Sequence, residues 1–119
     1  MTTPAKLKLK IIQGATFRRS LVWLAPDKTT PIDLTGCMAR MQVRSEIESA
    51  AVLLELTTGN GGIAIDGPAG KLTLYISPAD TASATWESGV WDLEVEHPSG
   101  DVTRLVQGSI SVSPEVTRA

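Results

Sequence analysis

The residues that could do chemistry are few. His97 is the only histidine and Cys37 the only cysteine in 119 residues. General acid–base catalysis needs an imidazole or carboxyl held within hydrogen-bond reach of the proton it moves. His97 precedes Pro98 in a stretch that reads as a turn, so a solvated turn residue is the expectation. Cys37 falls on the apolar side of the alternating stretch "GCMARMQVR" (36–44), which points to a buried, inert thiol. One cysteine allows no intramolecular disulfide and no cysteine-rich zinc site, and a reducing place of synthesis follows as the default.

Acidic and glycine-rich stretches give no stronger chemistry. Asp92, Glu94 and Glu96 put carboxylates on one strand face at steps of roughly 7 Å. A calcium loop of the "DxDxDG" type is missing, so these acids are expected on a solvated face, paired with lysine or arginine from a neighbouring strand. The segment "GNGGIAIDGPAG" (59–70) lacks the Lys-Ser/Thr ending of a phosphate loop and reads as turns. The sequence therefore assigns no catalytic residue, metal ligand or cofactor, and the expectation is a non-enzyme.

Two surface features remain. Arg40, Gln42 and Arg44 line the outward side of one strand, and planar guanidinium groups are favoured at protein interfaces. Of three tryptophans, Trp23 and Trp91 have core parity, whereas Trp86 follows a short helix and is the candidate for exposure. Arg40, Gln42, Arg44 and Trp86 are thus the expected partner interface. A formal charge of −2 supplies no broad cationic field for nucleic acid or anionic lipid. No apolar run approaches the roughly 20 residues of a membrane helix, and "MTTPAKLKLKII" has no signal-peptide pattern, so synthesis in a cytoplasm is expected.

The elements that must position these residues are mostly strands. "KLKLKI" (6–11) alternates lysine with apolar residues, the repeat of a strand with one wet face. "TFRRSLVWLA" (16–25) puts Phe17, Leu21 and Trp23 on one side, with Val22 and Leu24 suggesting cover on both faces near its end. "GCMARMQVR" alternates again. "SEIESAAVLLEL" (45–56) reads as a loop running into a strand over 52–57, followed by the short strand "GIAID" and then "KLTLYIS" (71–77). Helical punctuation occurs once, in "SPADTASATWESG": Ser77 as N-cap, Pro78 at the first helical position, Asp80 in the first turn and Gly89 as the stop.

The last quarter of the chain reads as a hairpin: "VWDLEVEH", the turn "PSGD", then "VTRLVQGSISVS". Val102 shares parity with Val106, Ile110 and Val112, but Leu105 falls out of step and Gly108 sits inside the strand. A bulge or a close backbone approach near Gln107 and Gly108 is expected. Seven or eight short strands with glycine and proline punctuation define an all-β, immunoglobulin-like antiparallel sandwich, one domain over 1–119, with one short helix near 78–84. "MTTPA" and "PEVTRA" read as extended arms.

The order of "IDLTG", the "SPADTA" helix after a strand, and "WDLEVEHPSGDVTRLVQGSISVSPEVT" resembles small tailed-phage and prophage structural proteins. Its layout is similar to the immunoglobulin-like N-terminal domain of phage baseplate upper proteins. The resemblance implies a non-enzymatic virion component in many copies, a homo-oligomer or symmetric array contacting other virion proteins in tail, baseplate or neck. Baseplate upper proteins continue into a fibre, so a stand-alone brick, an adaptor or a capsid decoration protein is expected here. A carbohydrate-binding module is the competing class, and it needs at least two exposed aromatic rings beside polar groups.

Overall fold

A computed structural model describes residues 4–117. Nine strands and one helix run in the order β1 (Ala5–Lys6), β2 (Leu9–Ile12), β3 (Phe17–Val22), β4 (Met38–Arg44), β5 (Leu54–Thr57), β6 (Ile63–Asp66), β7 (Lys71–Ile76), α1 (Pro78–Ala82), β8 (Ser88–Glu96) and β9 (Val102–Ser113). One sheet has the order β1-β9-β8-β4-β5 with β2 also on β9, and the other has the order β3-β7-β6. That division, the last two long strands with the fourth and fifth against a three-stranded partner, is the strand order of an immunoglobulin-like sandwich.

The core follows from alternation. In β8, Trp91, Leu93 and Val95 turn inward at 3%, 0% and 0% exposure, while Asp92, Glu94 and Glu96 stay half-buried on the other face. Met41 and Val43 of β4, Leu72, Leu74 and Ile76 of β7, and Ile11 of β2 close the same core. No cystine joins the two sheets, because Cys37 is free. Apolar contact between the two inner faces therefore holds the layers together without a covalent bridge.

Several sequence expectations need correction. "KLKLKI" is two strands, β1 and β2, and both run parallel to β9, so the sandwich is not wholly antiparallel. Its extra break explains nine strands where seven or eight were expected. Val22 and Leu24 are 53% and 38% exposed: β3 is covered on one face only. The helix ends at Ala82 with Ser83 as its cap, and Gly89 lies inside β8 instead, buried against the Arg44 carbonyl. Val52 stays outside β5 and is 41% exposed. Of the expected arms, Met1–Thr3 and Arg118–Ala119 lie outside the described residues. Ala5 pairs with Val106, and the Glu115 N–H donates to Gln13 Oε1 at 2.8 Å.

The helix start is as the sequence dictates. Ser77 Oγ accepts from the Asp80 N–H at 3.2 Å, with Pro78 opening the first turn. Thr81 is fully buried because its hydroxyl donates to Ala15 O at 2.8 Å and accepts from Gly14 N at 3.1 Å. The short helix is thereby pinned to the turn between β2 and β3.

β9 shows both irregularities its sequence implies. Leu93 pairs with Val106 but Glu94 pairs with Arg104, which leaves Leu105 as the extra residue of a bulge. The bulge reverses parity, so Val102, expected inside with Val106, points outward at 48% exposure. Three residues further on, the Leu7 backbone crosses so near Gly108 that any Cβ there would collide with the Leu7 carbonyl oxygen. Leu7 N also donates to Gln107 O at 3.0 Å. Gly108→Ala should cost about 1–3 kcal/mol, read as a lowered urea midpoint, and should detach β1 first, read as faster amide exchange at Leu7. An unchanged midpoint would contradict the close approach.

Candidate functional site

The outer face of the six-strand sheet is built from rows of cross-strand neighbours. One row runs Val102–Glu96–Met38, the next Arg104–Glu94–Arg40–Thr57, the third Gln107–Asp92–Gln42–Glu55 and the fourth Ser109–Val90–Arg44. These residues share the face because each sits two positions from the last along its strand, except that the bulge at Leu105 makes the step from Arg104 to Gln107 three. Residues of the last three rows, Arg40, Arg44, Asp92 and Arg104 among them, line an open trough of about 940 Å³ together with Lys6 and Lys8. Lys6 arrives there because it pairs with Gln107.

Hydrogen bonds and ion pairs organise the rows. Arg40 Nε donates to Glu94 Oε1 at 3.1 Å, and Arg104 Nε lies 3.5 Å from Asp92 Oδ2. Gln42 Nε2 donates to Glu55 Oε2 at 2.7 Å, and Gln42 Oε1 accepts from Arg44 Nη2 at 2.9 Å. Arg44 NH1 reaches the Ser49 and Ala50 carbonyls at 2.7 and 2.9 Å, so it ties the β4–β5 loop to the sheet. The Asp92 carboxyl is pushed up, first by burial, then by the Glu94 charge, against the pull of Arg104, Arg44 and Arg40. With Arg40 and Glu94 side chains 54% and 28% exposed, such pairs fix geometry more than they stabilise.

The three interface residues expected on β4 all lie on this face. Trp86 does not join them: it is half-buried and packs against the core. Trp23 is half-buried too, so its core parity is only partly realised. The acids do pair with arginines of both neighbouring strands, Arg40 on β4 and Arg104 on β9. Arg104 escaped sequence reading because parity counted through Leu105 puts it inside. Lys6, Lys8 and Glu55 were readable as wet-face residues, but nothing in the sequence says that their strands join this sheet.

A second group sits at the β8–β9 turn and corrects two expectations. His97 is not a freely solvated turn residue. Its Nδ1 lies 3.7 Å from Cys37 Sγ and its Nε2 3.1 Å from Thr103 Oγ1, and its ring meets Trp23 with centroids 5.9 Å apart. Cys37 in turn is half-buried, not sealed in the core. Burial, then the Asp33 charge, pushes its thiol pKa up. A thiolate nucleophile requires the opposite shift. Among the described residues no three His, Cys, Asp or Glu side chains converge as a metal would need, and no helix is long and apolar enough to cross a membrane.

No protein-family model matches the chain, and no curated protein matches it. Among solved structures it is similar to one from photo-crosslinking analyses of multimeric cell-adhesive interactions of VGSC beta subunits. That alignment has 9% identity, covers 97% of this chain and 98% of the other, and has a TM-score of 0.45. It is also similar to extracellular domains 3–5 of Drosophila OTK, at 12% identity and a TM-score of 0.36 over 88% of this chain and 32% of that one.

Two outcomes follow. Because the folded Asp92 pKa is raised, its contribution is complete below the unfolded value of 3.8 and lost as pH rises through the folded value. Asp92→Asn should therefore match or exceed the parent's stability at neutral pH and lose that margin below pH 3.8, as paired urea titrations would read; a margin that grows on acidification contradicts the shift. Cys37 should alkylate with iodoacetamide more slowly in the native chain than in urea, and a faster native rate would mean an activated thiol.

Proposed function

We propose that this chain is a non-enzymatic docking module, and that it serves as a multi-copy structural component of a tailed-phage virion, an adaptor or brick in tail, baseplate or neck. The observation that carries the docking reading is the outer sheet face, where Arg40, Gln42 and Arg44 meet Asp92, Glu94 and Arg104 around an open trough. Arginine-rich, hydrogen-bonded faces on a rigid sheet suit protein recognition. The virion reading rests on the sequence order of "IDLTG", the "SPADTA" helix and the terminal hairpin, and on the economy with which repeated modest contacts add up under symmetry. A glycan module is disfavoured, since Trp91 is 3% exposed and Trp23 and Trp86 both pack against the core.

Purified particles from the producing host, examined by quantitative mass spectrometry, should contain the chain in a fixed number of copies. Arg40→Glu combined with Arg44→Glu should lower that number at least about tenfold, about 1.4 kcal/mol of lost docking energy, while the isolated double variant keeps its circular dichroism spectrum. Particles that lack the chain contradict the virion reading. Unchanged incorporation of the variant contradicts the docking face.

A further inference from the structure

We infer that a second copy of this chain is the partner of the outer sheet face, docked about a two-fold axis that lies in the interface parallel to the strands. This rests on the reading of that face as a docking surface and deepens it by naming the partner.

The argument is the sign of charge across the sheet. Reading along the order β1-β9-β8-β4-β5, Lys6, Lys8 and Arg104 make a positive stripe. Asp92, Glu94 and Glu96 of β8 make a negative one, Arg40 and Arg44 of β4 a positive one, and Glu55 of β5 a negative one. At the end of β4, the exposed β4–β5 loop adds Glu46 and Glu48. The stripes alternate, and neither sign dominates the face. A face of mixed sign has little net repulsion against its own image, and relative orientation then decides the interaction.

Two in-plane two-fold axes can bring the face onto itself. An axis across the strands sets each strand on its own copy, so that β8 acids meet β8 acids and β4 arginines meet β4 arginines. An axis along the strands, passing between β8 and β4, reverses the strand order of the second copy. β8 then meets the partner's β4, and β9 meets the partner's β5. Because rotation about that axis keeps every row at its own height, each residue faces one of its own row, with Arg104 opposite the partner's Thr57 and Arg44 opposite the partner's Val90. Arg40 faces the partner's Glu94 and Glu94 the partner's Arg40, while Asp92 faces the partner's Gln42 and Gln107 the partner's Glu55. The row Val102–Glu96–Met38 has no such match and falls at the rim.

The existing Arg40–Glu94 pair does not compete with this. Docking adds a second carboxylate to each guanidinium and removes water from both, where charge pairs gain strength. The area sets the scale. Four overlapping strands at about 4.8 Å spacing and four rows about 7 Å apart give a contact of roughly 20 by 20 Å, about 400 Å² and below the standard interface of about 800 Å² per partner, so the pair should form at tens to hundreds of micromolar. Such an affinity suits an array in which many copies are held close.

Reciprocal charge reversal separates this from any other association. Sedimentation equilibrium of the full chain from about 10 µM to about 1 mM should show a monomer–dimer equilibrium, weakened at least about tenfold between roughly 50 and 500 mM salt. Arg40→Glu alone and Glu94→Arg alone should each stay monomeric over that range, since each puts like charges opposite one another. Mixed in equal amounts they should form a heterodimer, because every matched position again carries opposite charges. Each variant has lost the same internal pair, so recovery on mixing cannot come from repaired folding. A parent chain monomeric at every concentration overturns the inference, as does a parent dimer with variants that stay apart on mixing. If the parent is monomeric while the double variant Arg40→Glu, Arg44→Glu still fails to enter particles, the docking face stands with a different partner and only the self-pairing falls.

Discussion

The structure depends on alternation along β8. This strand has β9 on one side and β4 on the other, so its odd and even residues define both the core and the candidate face. Trp91, Leu93 and Val95 are at most 3% exposed, and Asp92, Glu94 and Glu96 take the other side. A slip of one residue against either neighbour would send three carboxylates into the core and three large apolar groups into water. Burial of the apolar set therefore fixes the register, and the register places Glu94 beside Arg40 and Asp92 within reach of Arg104.

β9 has to satisfy two demands, which is why it is irregular. Its beginning pairs Arg104 with Glu94 on the wet face, and its later part must deliver Val106 and Ile110 to the core while carrying β1 and β2 on its far edge. The bulge at Leu105 reconciles these by burying two successive residues, Leu105 at 8% and Val106 at 6% exposure. Gly108 then lets the Leu7 backbone pass close enough for the first strand to change from β1 to β2 without leaving the sheet. The turn that joins the two long strands is closed by hydrogen bonds between His97 and Asp101 and between Gly100 and His97, each 2.8 Å.

Much of this was legible in the sequence, because alternation is a local signal. The inward and outward alternation of β4, β7 and β8 read correctly, apart from Cys37 before β4 and Gly89 at the start of β8; the Ser77–Pro78 cap was a matter of short-range hydrogen bonding, and the disturbance in β9 was visible in Leu105 and Gly108. What was hidden depended on distance. The parallel pairing of β1 and β2 with β9 joins residues about a hundred positions apart, and no lysine in "KLKLKI" reports its neighbour. Cys37 and His97 meet across 60 residues, so neither looked partnered. The outward turn of Arg104 required knowing the position of the bulge, and parity alone placed Val102 on the wrong side. Arg40, Gln42 and Arg44 were legible as a face; the acids and cations that complete it were not legible as its neighbours.

The central claim is that the outer face of the six-strand sheet is where this molecule meets its partner, and carbodiimide footprinting of carboxylates in the isolated and the assembled chain tests it most directly. The account predicts that Glu55, Asp92 and Glu94 lose reactivity on assembly while Asp66, on the β3-β7-β6 sheet, keeps it. Protection of Asp66 with Glu55, Asp92 and Glu94 left as reactive as in the isolated chain would place the contact on the opposite layer and contradict the account.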